Sequence, residues 1–219
     1  DFHVISQLYS IAIPSSVMMC LPSVLVSLLN GILSSISQSA VAFFGVYYKL
    51  QTFIYMPTSG IVQGMRPLMS YNYGAKLKER MHQILKVSGL VIAAILGAGT
   101  ILFFIVPNVL LSLFNASSGM LEIGETGLRI LSLSFIVSSF GVLMSGVFEA
   151  LGLGKYSLIV SLLRQLLITV PLAYILLNIM GIEGIWLSFV IAEAIASIVA
   201  YILYLSLIHI SEPTRLGMI

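Results

Sequence analysis

Two side chains of opposite charge, Arg164 and Glu193, sit deep in apolar runs of a chain that carries few charges at all. A charge held in hydrocarbon marks pairing, ion coupling or substrate binding. At helical rise, Arg164 lies about 13 Å into its segment from Lys155, and Glu193 about 15 Å into the next from Glu183. Counted from opposite ends, both depths fall near the middle of a hydrocarbon core about 30 Å thick. A short turn joins the two segments, so they are expected to be antiparallel neighbours with the two charges paired. Such a pair is either a structural bridge that sets helix register or a part of ion or substrate coupling. The sequence leaves both open.

A second group shares one helix face. Lys49, Thr52, Met56, Ser59, Gln63, Arg66 and Ser70 recur at alternating steps of 3 and 4 residues, which is the period of a single helix face. Lipid offers polar groups no partners, so this stripe is expected to face other helices or a wet cavity. The plainer reading is a polar seam that glues helices together. Lys49 is placed near the outer surface, snorkelling or lining a cavity. Arg66, about 9 Å from the cytoplasmic end of its helix, reads as a gate, a headgroup contact or a cavity residue. Arg129 follows Glu125 by one helical turn and is expected to pair with it. Glu149 is expected to pair with Lys155 or another basic loop residue.

The composition decides the class of the elements that hold these side chains. The 219 residues are 59% hydrophobic and only 8% charged, where soluble domains run near 25% charged residues. Mean hydropathy is +1.09. The reading is an all-α polytopic membrane protein, with the lipid bilayer as its first partner. A net charge of +2 gives no reason to expect nucleic acid. The single cysteine, Cys20, lies in an apolar run and reads as a small core residue. Six apolar segments are long enough to span a bilayer, which needs about 20 residues. They are placed at 9–36, 40–71, 81–106, 120–148, 156–178 and 183–206. The first contains Pro14 and Pro22. The second contains Pro57 and Pro67, with Gly60 and Gly64 spaced for close helix packing.

Lys76, Lys78, Arg80, Lys86 and Lys155 follow the second and fourth segments, and Glu122, Glu125 and Glu183 fall on the opposite side. The positive-inside rule puts the basic loops, and with them both chain ends, in the cytoplasm of a multi-pass plasma-membrane protein. Trp186 is then expected at the outer interface. Enzyme signatures such as HExxH, GxSxG, the P-loop and CxxC are missing from the sequence. No aspartate follows Asp1, which removes an intramembrane aspartyl dyad. No enzyme, no catalytic residue, no metal site and no organic cofactor is expected. His82, beside the basic loop, reads as interfacial.

Two features concern the ends. The chain starts at Asp1 without a methionine and reads as a fragment. The run 205–215, LSLIHISEPTR, resembles a sequencing-library adapter translated in frame. Residues 205–219, His209 and Glu212 among them, are therefore set aside as a non-native tail.

The run KLQTFIYMPTSGIVQGMRPLMSYNYGAK from Lys49 to Lys76 resembles the eighth-helix region of the multidrug and toxic compound extrusion (MATE) family. Ile13-Pro14-Ser15 resembles the start of the seventh helix, Ser161 to Gln165 the eleventh, and Ile191 to Ala194 the twelfth. The resemblance implies a twelve-helix, pseudo-symmetric transporter of two six-helix lobes, with residues 1–204 as the C-terminal lobe. The missing partner is the N-terminal lobe of the same polypeptide. The family exports amphipathic, often cationic, organic compounds, with H⁺ or Na⁺ as coupling ion, by alternating access. A cavity for small organic cations needs aromatic walls and a few acceptors. Candidates here are Gln51, Tyr55, Met56, Ser59, Gln63 and Arg66, with Tyr47, Tyr48 and Phe53 as further aromatics. Some members carry acidic cation-site residues on the seventh and tenth helices. The first segment has no acid, and in the fourth Glu149 lies too near the end to match. The alternatives are a lipid-linked oligosaccharide or polysaccharide flippase, which needs a more cationic cleft, and a non-transporting membrane scaffold, whose stripes pack dry.

Overall fold

The computed structural model describes residues 2–211, and every regular element in it is helical. The elements are α1 (Phe2–Ser34), α2 (Gln38–Gly74), α3 (Lys78–Ile105), the short α4 (Pro107–Ser112), α5 (Ser118–Ala150), α6 (Gly154–Leu162), α7 (Thr169–Met180) and α8 (Ile182–Ser211). Between α6 and α7 the backbone takes one π-helical turn, Leu163–Leu167.

Local chemistry explains the breaks. Ser37 accepts the Ala40 N–H at 3.1 Å and caps α2, satisfying one of the donors a helix start leaves open. Pro107 has no N–H to extend α3 and forces the residue before it out of helical geometry; Val106 takes ψ 45, and α4 starts afresh on the proline. Gly181 ends α7 at φ 70, a left-handed conformation that glycine takes without strain. Pro14 and Pro22 lie inside α1, and Pro57 and Pro67 inside α2, without ending either helix.

Five helical rods are long and apolar enough to cross a membrane among the described residues: Ala12–Ser34, Lys78–Ile105, Ser118–Ala150, Gly154–Met180 and Ile182–Ser206. They match five of the six segments expected on hydropathy; the other, 40–71, lies within α2. α2 is the longest helix but is left out of that set, because Lys49, Gln51, Thr52, Gln63 and Arg66 dilute its apolar run. The segment between α3 and α5 holds α4 with Leu111 buried.

α5 is the central post and packs on α2, α3 and α8. Over its most apolar stretch 56% of residues are buried, against 22% for α1. Small residues let the backbones close in. A Cβ on Gly127 would meet the Phe43 ring at 2.6 Å, and one on Gly146 would meet Val62 at 2.5 Å. Ser197 donates to Val137 O at 3.0 Å, from α8 to α5, and Thr100 donates to Ser132 O at 2.9 Å, from α3 to α5. Phe43, Phe44 and Trp186 complete the upper core, with Phe43 edge-on to Trp186 at 5.1 Å and Phe44 stacked on it at 6.2 Å.

Three expectations are corrected here. Trp186 is fully buried rather than interfacial, because α8 turns it inward onto α2. Cys20 is exposed, because the buried stripe of α1 runs through Leu21, Leu25, Leu29 and Leu33, one residue off. Gly60 and Gly64 meet nothing within 4 Å; the glycines packed close against α2 are Gly124, Gly127 and Gly146 on α5 and Gly99 on α3, since the opposite face of α2 is the one that packs. α8 continues to Ser211, and the remainder of the set-aside tail, 212–219, lies outside the described residues.

Candidate functional site

The two faces of α2 differ. Phe43, Tyr47, Leu50, Val62, Met65 and Met69 are buried in the core. The other face opens onto two adjoining cavities of about 540 Å³ and about 530 Å³, which share Pro22, Ser59, Gln63, Arg164 and Gln165 in their walls. Together they form one cleft between α1, α2, α5, the π-helical turn and α8.

Of the sequence candidates, Gln51, Tyr55 and Met56 line the first cavity, Ser59 and Gln63 line both, and Arg66 lines the second. Thr52 also faces the first. Lys49 and Ser70, at the ends of the stripe, line neither cavity. Tyr48 lines the first cavity. Tyr47 does not; it is fully buried in the core. Phe53 is 68% exposed and outside both walls. Tyr55 is held in place by its hydroxyl, 2.6 Å from Ser138 Oγ on α5, and by an edge-on contact with Phe135.

Arg164 and Glu193 face each other across the first cavity's wall, with Arg164 Nη1 3.6 Å from Glu193 Oε1. The π-helical turn carries Arg164 and Gln165 to that wall. It is closed by the Ile168 N–H on Leu163 O at 3.0 Å, five residues back, and by the Thr169 hydroxyl donating to Arg164 O. The extra residue in the turn re-aims side chains, and such turns recur at functional sites. The contact is loose: Arg164 Nε and Glu193 Oε2 are buried with no hydrogen-bond partner.

A second ion pair stands in the other cavity. Arg66 Nη2 lies 2.6 Å from Glu149 Oε2, and Ser157 donates to Glu149 Oε1 at 3.0 Å. This corrects the expectation that Glu149 meets Lys155 or another basic loop residue. Lys155 is instead exposed on the first turn of α6, and the carboxylate reaches across to α2. Arg129 pairs with Glu125 at 2.9 Å at the other end of α5. Phe44, Thr169 and Phe189 also line the first cavity and were not singled out from the sequence. Phe189 precedes Glu193 by one helical turn, so the helix period points to it. Thr169 carries no such signal, because its position depends on the π turn. Among the described residues no group of three or more His, Cys, Asp or Glu is placed to hold a metal ion.

A family model described as MatE matches residues 14–175, well over half of the chain. The chain belongs to the MatE family. Over 201 residues it is 25% identical to the multidrug export protein MepA of Staphylococcus saprophyticus, covering 92% of this chain and 44% of that protein. The chain thus spans about half the length of the curated relatives it matches. Its fold is similar to that of a MOP superfamily transporter from Pyrococcus furiosus, with a TM-score of 0.90 at 21% identity, covering 98% of this chain and 49% of that one. A multidrug resistance MATE family transporter in an outward-facing conformation aligns with a TM-score of 0.88 at 21% identity, over 96% of this chain and 48% of that one. The chain therefore corresponds to one half of a MATE transporter.

Proposed function

We propose that the chain is the C-terminal six-helix lobe of a twelve-helix plasma-membrane antiporter. It exports amphipathic organic compounds that carry a cationic group, driven by inward movement of H⁺ or Na⁺. The observation that carries this reading is the cleft on α2. Hydroxyl and amide groups (Tyr48, Gln51, Tyr55, Gln63), the thioether of Met56 and the rings of Phe44 and Phe189 surround one carboxylate, Glu193. Aromatic faces and a few oriented acceptors are what an organic cation needs. A half-transporter whose cleft is completed by a second lobe fits alternating access, in which one bundle rocks against the other around a central site. α2 serves as a sixth span here, its polar face turned to the cleft and shielded from lipid. The basic α2–α3 loop and both termini lie in the cytoplasm on this reading.

The charge balance favours this over a flippase for anionic lipid-linked sugars. Arg66 and Arg164 are each neutralised by a carboxylate, and Lys49 is outside both cavities. The open cleft likewise argues against a dry-packed scaffold. The test is expression of the complete reading frame in a host stripped of its own exporters. Ethidium accumulation should fall and resistance rise. Unchanged accumulation with the protein present in the membrane would remove this reading.

A further inference from the structure

The first cavity carries one positive and one negative group, each with spare capacity. Arg164 Nη1 and Glu193 Oε1 stand 3.6 Å apart, beyond the range of a well-formed charge-assisted hydrogen bond. Arg164 Nε and Glu193 Oε2 are buried without a hydrogen-bond partner. The side chains are 21% and 13% exposed, so both charges are largely out of bulk water. The other pair in the cleft differs in its distance and its carboxylate: Arg66 and Glu149 meet at 2.6 Å, and the second carboxylate oxygen accepts from Ser157, although Arg66 Nε, like Arg164 Nε, is buried without a partner. The Glu149 carboxylate therefore offers a ligand little. The Arg164–Glu193 pair offers a donor and an acceptor side by side.

Leaving one partner of a buried pair unmatched is strongly unfavourable. A ligand bearing only a cation, seated on Glu193, draws the carboxylate away from Arg164 and leaves a guanidinium facing it in a low-dielectric wall. A ligand bearing only an anion does the reverse to Glu193. A ligand with both signs replaces the internal pair by two external ones and strands neither charge. Arginine also presents a planar fork that matches a carboxylate. The aromatic side chains Phe44, Tyr48 and Phe189 share the same cavity and suit a flat apolar body.

We infer that this cavity is a site for amphipathic zwitterions, with the ligand carboxylate on Arg164 and its cationic group on Glu193. The inference rests on the efflux reading above and narrows it: among compounds with a cationic group, those that also carry a carboxylate are preferred. Arg164 is then a specificity-determining residue.

The test uses the purified full-length protein and two rhodamine dyes, one with a free carboxylate and the other its methyl ester, which keeps only the cationic charge. Binding is read by fluorescence anisotropy. The free acid should bind at least about tenfold more tightly than the ester. Arg164→Gln should abolish that preference while the ester still binds. The double variant Arg164→Gln with Glu193→Gln strands no buried charge, so it guards against misfolding and should also fail to discriminate. Equal or tighter binding of the ester to the wild-type protein, or an acid preference that survives in the double variant, would overturn the inference and leave the efflux reading standing. Binding of neither dye would overturn both.

Discussion

The two ion pairs of the cleft use the same residue types to different ends. Arg66–Glu149 is short, and its carboxylate is satisfied on both oxygens by α2 and α6. It ties three helices together, since Glu149 itself is on α5. Arg164–Glu193 is longer and joins the π-helical turn to α8; both guanidinium groups leave Nε unmatched, but only Glu193 also leaves a carboxylate oxygen without a partner. The first has the geometry of a structural clamp. The second has the geometry of a pair that can be exchanged for something else. Burial alone does not separate them. What separates them is how much of the carboxylate's hydrogen-bonding capacity is already used.

The sharpest way to break this contrast is to cut the clamp. In the full-length protein Arg66→Ala should lower stability by about 3 kcal/mol, because Glu149 remains in the fold with its charge unmatched. Thermal unfolding in detergent reads this, and a loss no larger than that of an exposed substitution would dissolve the distinction. Next in size is Gly146→Val, which forces side-chain atoms into Val62 and pries α2 from α5. About 2 kcal/mol is expected for this overpacking. Gly60→Ala, on the open face of the same helix, should be neutral or slightly stabilising. A matching loss at Gly60 would mean that the two faces of α2 are equally packed.

Removing the Ser157 hydroxyl tests whether the carboxylate of the clamp is saturated. Ser157→Ala should cost about 1.5 kcal/mol, as for a hydrogen bond to a charged acceptor. The smallest effect is expected at the looser pair. Replacing both partners, Arg164→Met with Glu193→Gln, should leave thermal stability within about 1 kcal/mol of the parent, because no charge is stranded. Arg164→Ala alone should unfold more readily than Arg164→Ala combined with Glu193→Ala. If the single change does no more harm than the double, the two side chains do not act as a pair.

Much of the helical layout could be read locally. Ser37, Pro107, Gly152 and Gly181 punctuate the chain at or beside the observed breaks, since capping and φ restriction act over a few residues. The alternating 3 and 4 spacing from Thr52 to Arg66 puts those residues on one face for the same reason. The π-helical turn was not legible in SLLRQ, because it needs the Thr169 hydroxyl on Arg164 O and the packing of α8 beside it. Nor was the partner of Glu149. Lys155 is its nearest basic residue in sequence, while Arg66 is its neighbour in space.

By itself, the amino-acid order determined that this chain is a set of long apolar helices with a few buried charges, and which side chains share a helix face. Periodicity and hydropathy are properties of neighbours along the chain. Tertiary structure alone decided that Trp186 is core and Cys20 is surface, that α5 supplies glycines of close approach, and that one ion pair has a saturated carboxylate while the other does not. These depend on which helices meet and how closely, and that is set by side chains far apart in sequence competing for the same space.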